Sequence, residues 1–148
     1  MNKYQDKHMN KLTFYLLSFT WGLPMTLIGG IVGVALMIVG KRPERWGACW
    51  HFKVGKSWGG ANLGLIFLTD NTPSKHTKNH EHGHAIQNCY FGFFMPFIVC
   101  IPSAIRYWYR ELKYYRKGLI PPTEYDSVWF EGDATKLGTI YATQWNGN

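Results

Sequence analysis

The sequence predicts an α+β fold that is mostly helical and begins with a transmembrane or re-entrant helical segment. Three observations predict it: a long uncharged run near the N terminus, two short apolar runs separated by glycines, and a polar segment of helix length containing His-Glu-x-x-His. At 148 residues the chain has the length of one domain. Within it we distinguish an N-terminal membrane segment, residues 1–40, from the remainder, residues 41–148, which contains a second apolar segment at residues 90–105.

The N-terminal membrane segment centres on Leu12 to Gly40, a run of 29 residues without a charge. About 20 helical residues cross a bilayer, so this run is long enough to span one. Gly22 and Pro24 lie towards its middle, and proline kinks or breaks a helix. The run therefore predicts either one kinked transmembrane helix or a re-entrant pair of short helices. A buried core helix of a soluble protein is the remaining alternative.

Two strands are predicted next along the chain. Lys41 to Gly47 is a polar turn, and Ala48 to Val54 is apolar enough for a strand. Gly55 to Gly60 supplies turn residues, and Ala61 to Leu68 forms the second apolar run. Together these segments predict a β-hairpin.

Two helices are predicted in the second half of the chain. Thr72 as the N-cap and Pro73 at the first helical position are a favourable start, so the first of these helices runs from about Pro73 to about Tyr90. After a loop that contains two prolines, the last helix runs from about Tyr125 to about Tyr141.

A second apolar segment lies between these helices, from Tyr90 to Ile105. It has 16 residues and contains Pro96 and Pro102, so it is short for a straight span and is interrupted. We expect it to be interfacial, re-entrant or packed against the first apolar segment. Aromatic and basic residues alternate in the stretch that follows, residues 106–117, as is typical of the lipid headgroup layer. An amphipathic surface helix of a soluble domain is the alternative.

Charge and cysteine content favour a membrane partner over nucleic acid. The net charge of +7 falls in short clusters beside the apolar segments, which indicates contact with a lipid bilayer. No single basic stripe or nucleic-acid-binding motif is present.

Three basic residues flank each side of the first apolar segment, so the flanks do not set its orientation. The three cysteines have no C-x-x-C spacing, which favours free thiols and a cytoplasm-facing protein.

The strongest chemical signal is the H-E-x-x-H pattern formed by His80, Glu81 and His84. Residues i and i+4 lie on the same face of a helix, so the two imidazoles can bind one Zn²⁺. The intervening Glu81 is then placed to act as general base on a zinc-bound water. The alternative is a solvated, histidine-rich helix that matches the pattern by accident.

Four neighbouring residues have narrower expected roles. His76 lies one turn before His80 and is a substitute ligand or, more simply, a solvated residue. His82 points away from the ligand face, so we expect no metal role for it. Gly83 allows another element to approach closely, and Gln87 is placed to form a hydrogen bond near the site.

The last predicted helix contains a second pattern, in which Glu131 is followed by Ala134 and Gly138. The two patterns together resemble the Glu-liganded zinc peptidases of membranes, the CAAX-prenyl protease and heat-shock membrane protease group, whose second motif is E-x-x-A-D-x-x-A. The resemblance covers His80 to Gly138. Thr135 stands where that motif has Asp, and a threonine cannot supply the negative charge that supports the ligand histidines.

The resemblance implies a membrane-associated, zincin-like metallopeptidase that hydrolyses peptide bonds in a peptide or protein substrate. It implies that His80, His84 and Glu131 bind Zn²⁺ and that Glu81 is the catalytic base. By analogy, the strand segment Asn62 to Phe67 pairs with an extended substrate.

The ligand set also constrains the second apolar segment. Ligands of one metal lie within a few ångström of each other. The chain must therefore return to the side it left between His84 and Glu131.

Other functions remain open at this point. A non-enzymatic membrane protein with a structural or degenerate metal site is the main alternative. A soluble zinc-binding module is another. A di-iron membrane oxygenase is disfavoured, because the chain has only six histidines and such enzymes require about eight.

Overall fold

Five α-helices and a four-stranded mixed sheet make up the part of the chain that the computed structural model describes, residues 9–146. The helices are α1 (Lys11–Phe19), α2 (Leu23–Ile38), α3 (Lys75–Phe91), α4 (Ile101–Lys113) and α5 (Trp129–Trp145). The strands are β1 (Glu44–Trp46), β2 (Cys49–Lys53), β3 (Gly60–Leu63) and β4 (Ile66–Thr69). The predicted α+β class, mostly helical, is confirmed. Lys3 and Lys7 of the predicted basic flank lie outside the described residues.

The N-terminal segment forms two helices, which is one of the two arrangements that its sequence left open. Asn10 caps α1, because its side-chain oxygen accepts a hydrogen bond from the backbone N–H of Thr13 at 2.8 Å. Pro24 lies in the first turn of α2, where its missing N–H costs no helical hydrogen bond. The axes of α1 and α2 differ by 89°. Phe14 of α1 is fully buried in the same core cluster as Ile86 and Leu137, which ties this segment to the rest of the fold.

The sheet differs from the predicted hairpin. Its order is β1-β2-β4-β3, in which β2 and β4 are parallel and the other neighbours are antiparallel. The apolar run Ala61 to Leu68 is two strands, since Gly64, with φ of +71°, makes a tight turn between β3 and β4. The side chain of Asn62 stabilises this turn by accepting a hydrogen bond from the Gly64 N–H at 2.8 Å. The predicted turn at 41–47 contains β1.

Helix α3 begins later than predicted, although it does follow a β-hairpin. Ser74, and not Thr72, is its N-cap, and the Ser74 hydroxyl accepts a hydrogen bond from the Thr77 N–H at 3.0 Å. The Thr72 N–H instead donates to the Asp70 carboxylate at 3.0 Å, in a turn before the helix. Despite its polar sequence, α3 is buried from Asn79 to Cys89.

Helices α3 and α5 pack together at two glycines. A Cβ atom on Gly83 would lie 1.7 Å from the backbone oxygen of Ala134, and one on Gly138 would lie 1.7 Å from the backbone oxygen of Asn79. The predicted close approach at Gly83 is thereby confirmed. Helix α5 begins at Trp129 and not near Tyr125, because Tyr125–Ser127 forms a separate 3₁₀ turn.

The chain turns back between α3 and α4. A 3₁₀ turn (Gly92–Phe94) and a π-helical turn (Pro96–Cys100) join them, and the two flanking helical arms are bent by 116°. Within residues 9–146 no helix is by itself long and apolar enough to cross a membrane. The pair α1 and α2, and the pair formed by α3 and α4 with their adjoining turns, satisfy the requirements of length and composition only as bent pairs.

Candidate metal centre

Three predicted ligand side chains meet between α3 and α5. The Nε2 atoms of His80 and His84 lie 3.1 and 3.2 Å from Oε2 of Glu131, and 3.2 Å from each other. All three residues are buried. The second apolar segment therefore does return, as the ligand set requires.

The geometry of these three atoms fits a tetrahedral metal. Zinc binds nitrogen and oxygen at about 2.0–2.1 Å, so two of its tetrahedral ligand atoms lie roughly 3.3 Å apart. The observed separations of 3.1–3.2 Å are close to this value. His80, His84 and Glu131 are the residues that would hold the ion.

Hydrogen bonds on the far side of each imidazole turn its Nε2 towards the centre. Nδ1 of His84 donates to the side-chain oxygen of Gln87 at 2.8 Å, and Nδ1 of His80 lies 2.8 Å from the Thr135 hydroxyl. Protonation at Nδ1 leaves the Nε2 lone pairs of the neutral rings facing each other and the Glu131 carboxylate. Three acceptors in contact require a proton or a cation between them, so the donor set is suited to a metal ion.

Gln87 links His84 to α5. Its amide nitrogen donates to the backbone oxygen of Phe130 at 2.8 Å and to the Asp133 carboxylate at 3.2 Å. The predicted hydrogen bond from Gln87 near the site is confirmed. Asp133 contributes to this support and is not part of the three-residue ligand group.

Thr135 occupies the position where the resembled motif has Asp, and the missing charge comes from Asp126. The Thr135 hydroxyl accepts from Nδ1 of His80 and donates to Oδ2 of Asp126 at 2.5 Å. Oδ1 of Asp126 lies 3.9 Å from the same His80 nitrogen. A carboxylate thus supports His80 through a hydroxyl, and sequence reasoning missed it because Asp126 precedes the motif.

We expect Asp126→Asn to weaken zinc binding by about 10- to 100-fold, the usual effect of removing a group that orients a metal-binding histidine. Thr135→Val should act in the same direction, because it removes the same link. Chelator competition on the purified protein measures the affinity. Asp70→Asn is the matched control, since Asp70 accepts from the Thr72 and Gly59 N–H groups in a turn that α3 follows. Equal zinc affinity in Asp126→Asn and Asp70→Asn would contradict this role of Asp126.

The second oxygen of Glu131 is held from another helix. Ser103 of α4 donates its hydroxyl to Oε1 of Glu131, which leaves Oε2 for the metal. Burial acts to raise the pKa of Glu131, but hydrogen bonding to His80 and His84 through a proton shared at this centre outweighs burial and holds that pKa well below its usual range. Glu131 is therefore ionised, as a metal-binding carboxylate must be. Ser103 carried no signal in the sequence, because its role depends on the turn between α3 and α4.

Glu81 lies beside the ligand group in a buried position. Its side chain is 5% exposed, and its Oε2 atom has no hydrogen-bond partner among the described residues. Burial raises its pKa, which suits a general base. The backbone of β3 lies directly against it, since a Cβ on Gly60 would be 2.7 Å from Oε1 of Glu81.

The centre opens into a cavity of about 800 Å³. Strand β3 and the inner face of α4 line it, together with Met25, Met95 and Val99, so its wall is largely apolar. His80, Glu81 and His84 also line it, which gives a small molecule or peptide a route to the ligand group.

The other histidines of α3 lie apart from the ligand group. His76 is largely exposed, with its Nε2 3.5 Å from Asp126. His82 is fully buried between Phe14 and Trp145, and its Nε2 accepts a hydrogen bond from the Ala48 N–H at 3.2 Å. Burial lowers the pKa of His82 to about 3, so this histidine is a neutral core residue. His82 points away from the ligand face, as its position in the sequence predicts, and His76 is solvated.

Comparison with protein-family models finds no match to the chain, and comparisons with curated proteins and with solved structures find none either. The described residues establish a helix-rich α+β fold in which buried His80, His84 and Glu131 resemble an H-E-x-x-H-plus-Glu zinc site.

Proposed function

We propose that the chain is a membrane-associated zinc metallopeptidase. The observation that supports this most strongly is the convergence of the ligand atoms of His80, His84 and Glu131, all within 4.8 Å of one another. The two histidines lie on α3 and Glu131 lies on α5, and His80 and Glu131 are 51 positions apart in the sequence. Such convergence is not a consequence of the local H-E-x-x-H pattern alone.

The catalytic roles follow from the positions of the side chains. A zinc ion held by His80, His84 and Glu131 would supply the positive charge that polarises a substrate carbonyl and acidifies a bound water. The role of Glu81 would be to accept a proton from the attacking water through its unpartnered oxygen and to give it to the leaving amine. Tyr107, His76 and Tyr125 line the cavity and are the candidate donors to the oxyanion that forms at the substrate carbonyl.

Strand β3 is suited to binding an extended peptide. It is an edge strand of the sheet, and Asn62 donates a hydrogen bond to the backbone oxygen of Glu81 at 3.0 Å, which fixes it beside the catalytic base. An edge strand offers unpaired backbone groups to a substrate strand. Phe67 belongs to the interior strand β4, so the pairing segment is Gly60–Leu63 and not Asn62 to Phe67.

A purely structural metal site is less well supported. Structural zinc is usually closed by four protein ligands, whereas catalytic zinc has three and an open position. The ligand group here has three members and adjoins a cavity. Glu81 also has no structural partner for its second oxygen among the described residues, which a stabilising role alone would not require.

We further propose that the apolar helices lie in the cytoplasm-facing leaflet of a membrane. The outward residues of α2 and α4 are large, apolar and exposed, including Ile31, Ile38, Ile105 and Leu112. Exposed Arg42 and Lys117 lie near the ends of these apolar surfaces, where anionic headgroups attract them. Flotation with phosphatidylglycerol vesicles tests this placement; protein that stays unbound and monodisperse without detergent would contradict it.

Metal analysis tests the proposed site. We expect about one zinc per chain in detergent-purified protein by inductively coupled plasma mass spectrometry, with most of it lost in His84→Ala and Glu131→Gln. His76→Ala is the matched control, because His76 lies on the same helix and outside the ligand group. No zinc in the native chain after reconstitution would overturn the proposal. Zinc that depends on His84 but not on Glu131 would show that the third ligand is wrong.

A further inference from the structure

Arg110 is a buried cation in the wall of the cavity. Its side chain lies on the inner face of α4 and is only 6% exposed. Arginine does not lose its charge in proteins, so burial cannot neutralise it as it can a lysine. A buried charge is costly unless an opposite charge is paired with it.

The partners of Arg110 are all neutral. Nη1 donates to the backbone oxygen of Thr123 at 2.9 Å, and Nη2 donates to the Tyr115 hydroxyl at 3.2 Å. The ring of Tyr125 lies 5.5 Å from the guanidinium carbon. Nε has no hydrogen-bond partner, and no carboxylate is within ion-pair distance among residues 9–146. One N–H group on each Nη thus anchors the guanidinium, and the second N–H group on each Nη remains for a ligand.

The position of Arg110 connects it to the metal centre. Ser103, Tyr107 and Arg110 are spaced at i, i+4 and i+7, so they share one face of α4, and all three line the cavity. Seven residues of helix correspond to roughly 10 Å along the axis. Ser103 contacts the ligand Glu131, so Arg110 lies farther along the same cavity. An extended peptide advances about 3.3 Å per residue and therefore spans this distance with a few residues.

We infer that Arg110 binds the C-terminal carboxylate of the peptide substrate, an inference that rests on the proposed peptidase function. A guanidinium matches a carboxylate in a two-point, charge-assisted hydrogen bond. The apolar part of the wall, which includes Met25, Leu63, Met95 and Val99, suits apolar substrate side chains. The peptidase then cleaves a few residues before a free C terminus.

The test compares two forms of one apolar peptide, acetyl-Leu-Phe-Val-Leu, as the free acid and as the C-terminal amide. Binding to zinc-loaded Glu81→Gln protein is followed by tryptophan fluorescence, since Trp58 and Trp108 line the cavity. We expect the acid to bind at least about tenfold more tightly than the amide. The preference should disappear in the background of Arg110→Gln and persist with Arg116→Gln, an exposed arginine that lies 3.7 Å from Glu111.

Three outcomes of the binding measurements would overturn the inference. Equal binding of acid and amide to otherwise native protein would do so without any Arg110 variant, which matters if Arg110→Gln does not fold. An acid preference that survives Arg110→Gln would place the carboxylate on zinc. Arg110-dependent binding of dihexanoyl phosphatidylglycerol, without binding of the peptide acid, would assign the site to a lipid phosphate.

Hydrolysis by the native chain is measured in parallel on both peptides. If the protein binds the acid more tightly than the amide in an Arg110-dependent way but hydrolyses neither peptide, the carboxylate subsite is retained and the peptidase function is rejected. Hydrolysis with equal efficiency on both forms would retain the peptidase and reject the subsite.

Discussion

Glu81→Gln should remove peptide hydrolysis, with kcat lower by about 10²–10⁴-fold, while zinc stays bound. Glutamine has the shape of glutamate but cannot take the proton of the attacking water. None of the three ligand atoms belongs to Glu81, so the metal content should remain near that of the native chain. Turnover of a quenched-fluorescent peptide mixture, measured beside zinc content in the same preparation, checks both parts.

Glu44→Gln is the control for this substitution. Glu44 lies on β1, where its carboxylate accepts a hydrogen bond from Lys53 at 2.9 Å and does not line the cavity. We expect Glu44→Gln to leave kcat unchanged. A Glu81→Gln variant that hydrolyses peptides at the native rate would exclude Glu81 as the base and make Asp126, the other acidic residue of the cavity wall, the next candidate.

The part of the metal centre that lies within one helix was predictable from the sequence. His80 and His84 were identified because i and i+4 positions share a face once a helix forms, whatever the rest of the fold does. Glu131 was identified only by its spacing from Ala134 and Gly138 in a resembled motif. The structure supplies what spacing lacks, the contact between α3 and α5 that brings Glu131 to the two imidazoles.

The supporting residues were not predictable, because they reach the ligands across the fold. Asp126 acts on His80 through Thr135, and Ser103 acts on Glu131 from α4. Neither has a fixed sequence distance from its partner that a motif would record. Thr135 in place of Asp predicts a lost negative charge, because no sequence pattern indicates that the carboxylate nine residues earlier lies behind its hydroxyl.

The predicted strand pairing was wrong for a related reason. The segments assigned to β2 and to the Ala61–Leu68 run do lie side by side, but β2 pairs with β4 in parallel. Burial of apolar side chains constrains which residues face the core and says little about which strand is the neighbour. The turn at Gly64 was not predicted, because Gly64 lies within an apolar run in which Asn62 is the only polar side chain.

Gly83→Ala should be among the most destabilising single changes in the chain. The added Cβ would lie 1.7 Å from the backbone oxygen of Ala134, and a backbone atom in a helix cannot move aside alone. The two helices must separate, at a cost of more than about 3 kcal/mol in the free energy of unfolding. Separation also carries Glu131 away from the imidazoles, so zinc should be lost with the stability. Denaturant unfolding in detergent and metal analysis measure the two effects.

Gly30→Ala provides the comparison, because it makes the same change inside a helix. Gly30 lies in α2, and a Cβ there would have no other group within 4 Å, so we expect a gain of about 0.5–1 kcal/mol from the lower flexibility of the unfolded chain. The opposite signs separate contact between α3 and α5 from the intrinsic effect of alanine. A Gly83→Ala protein that unfolds like the native chain and keeps its zinc would show that these helices do not touch at Gly83. Glu131 would then be too far from His80 and His84 to share a metal with them.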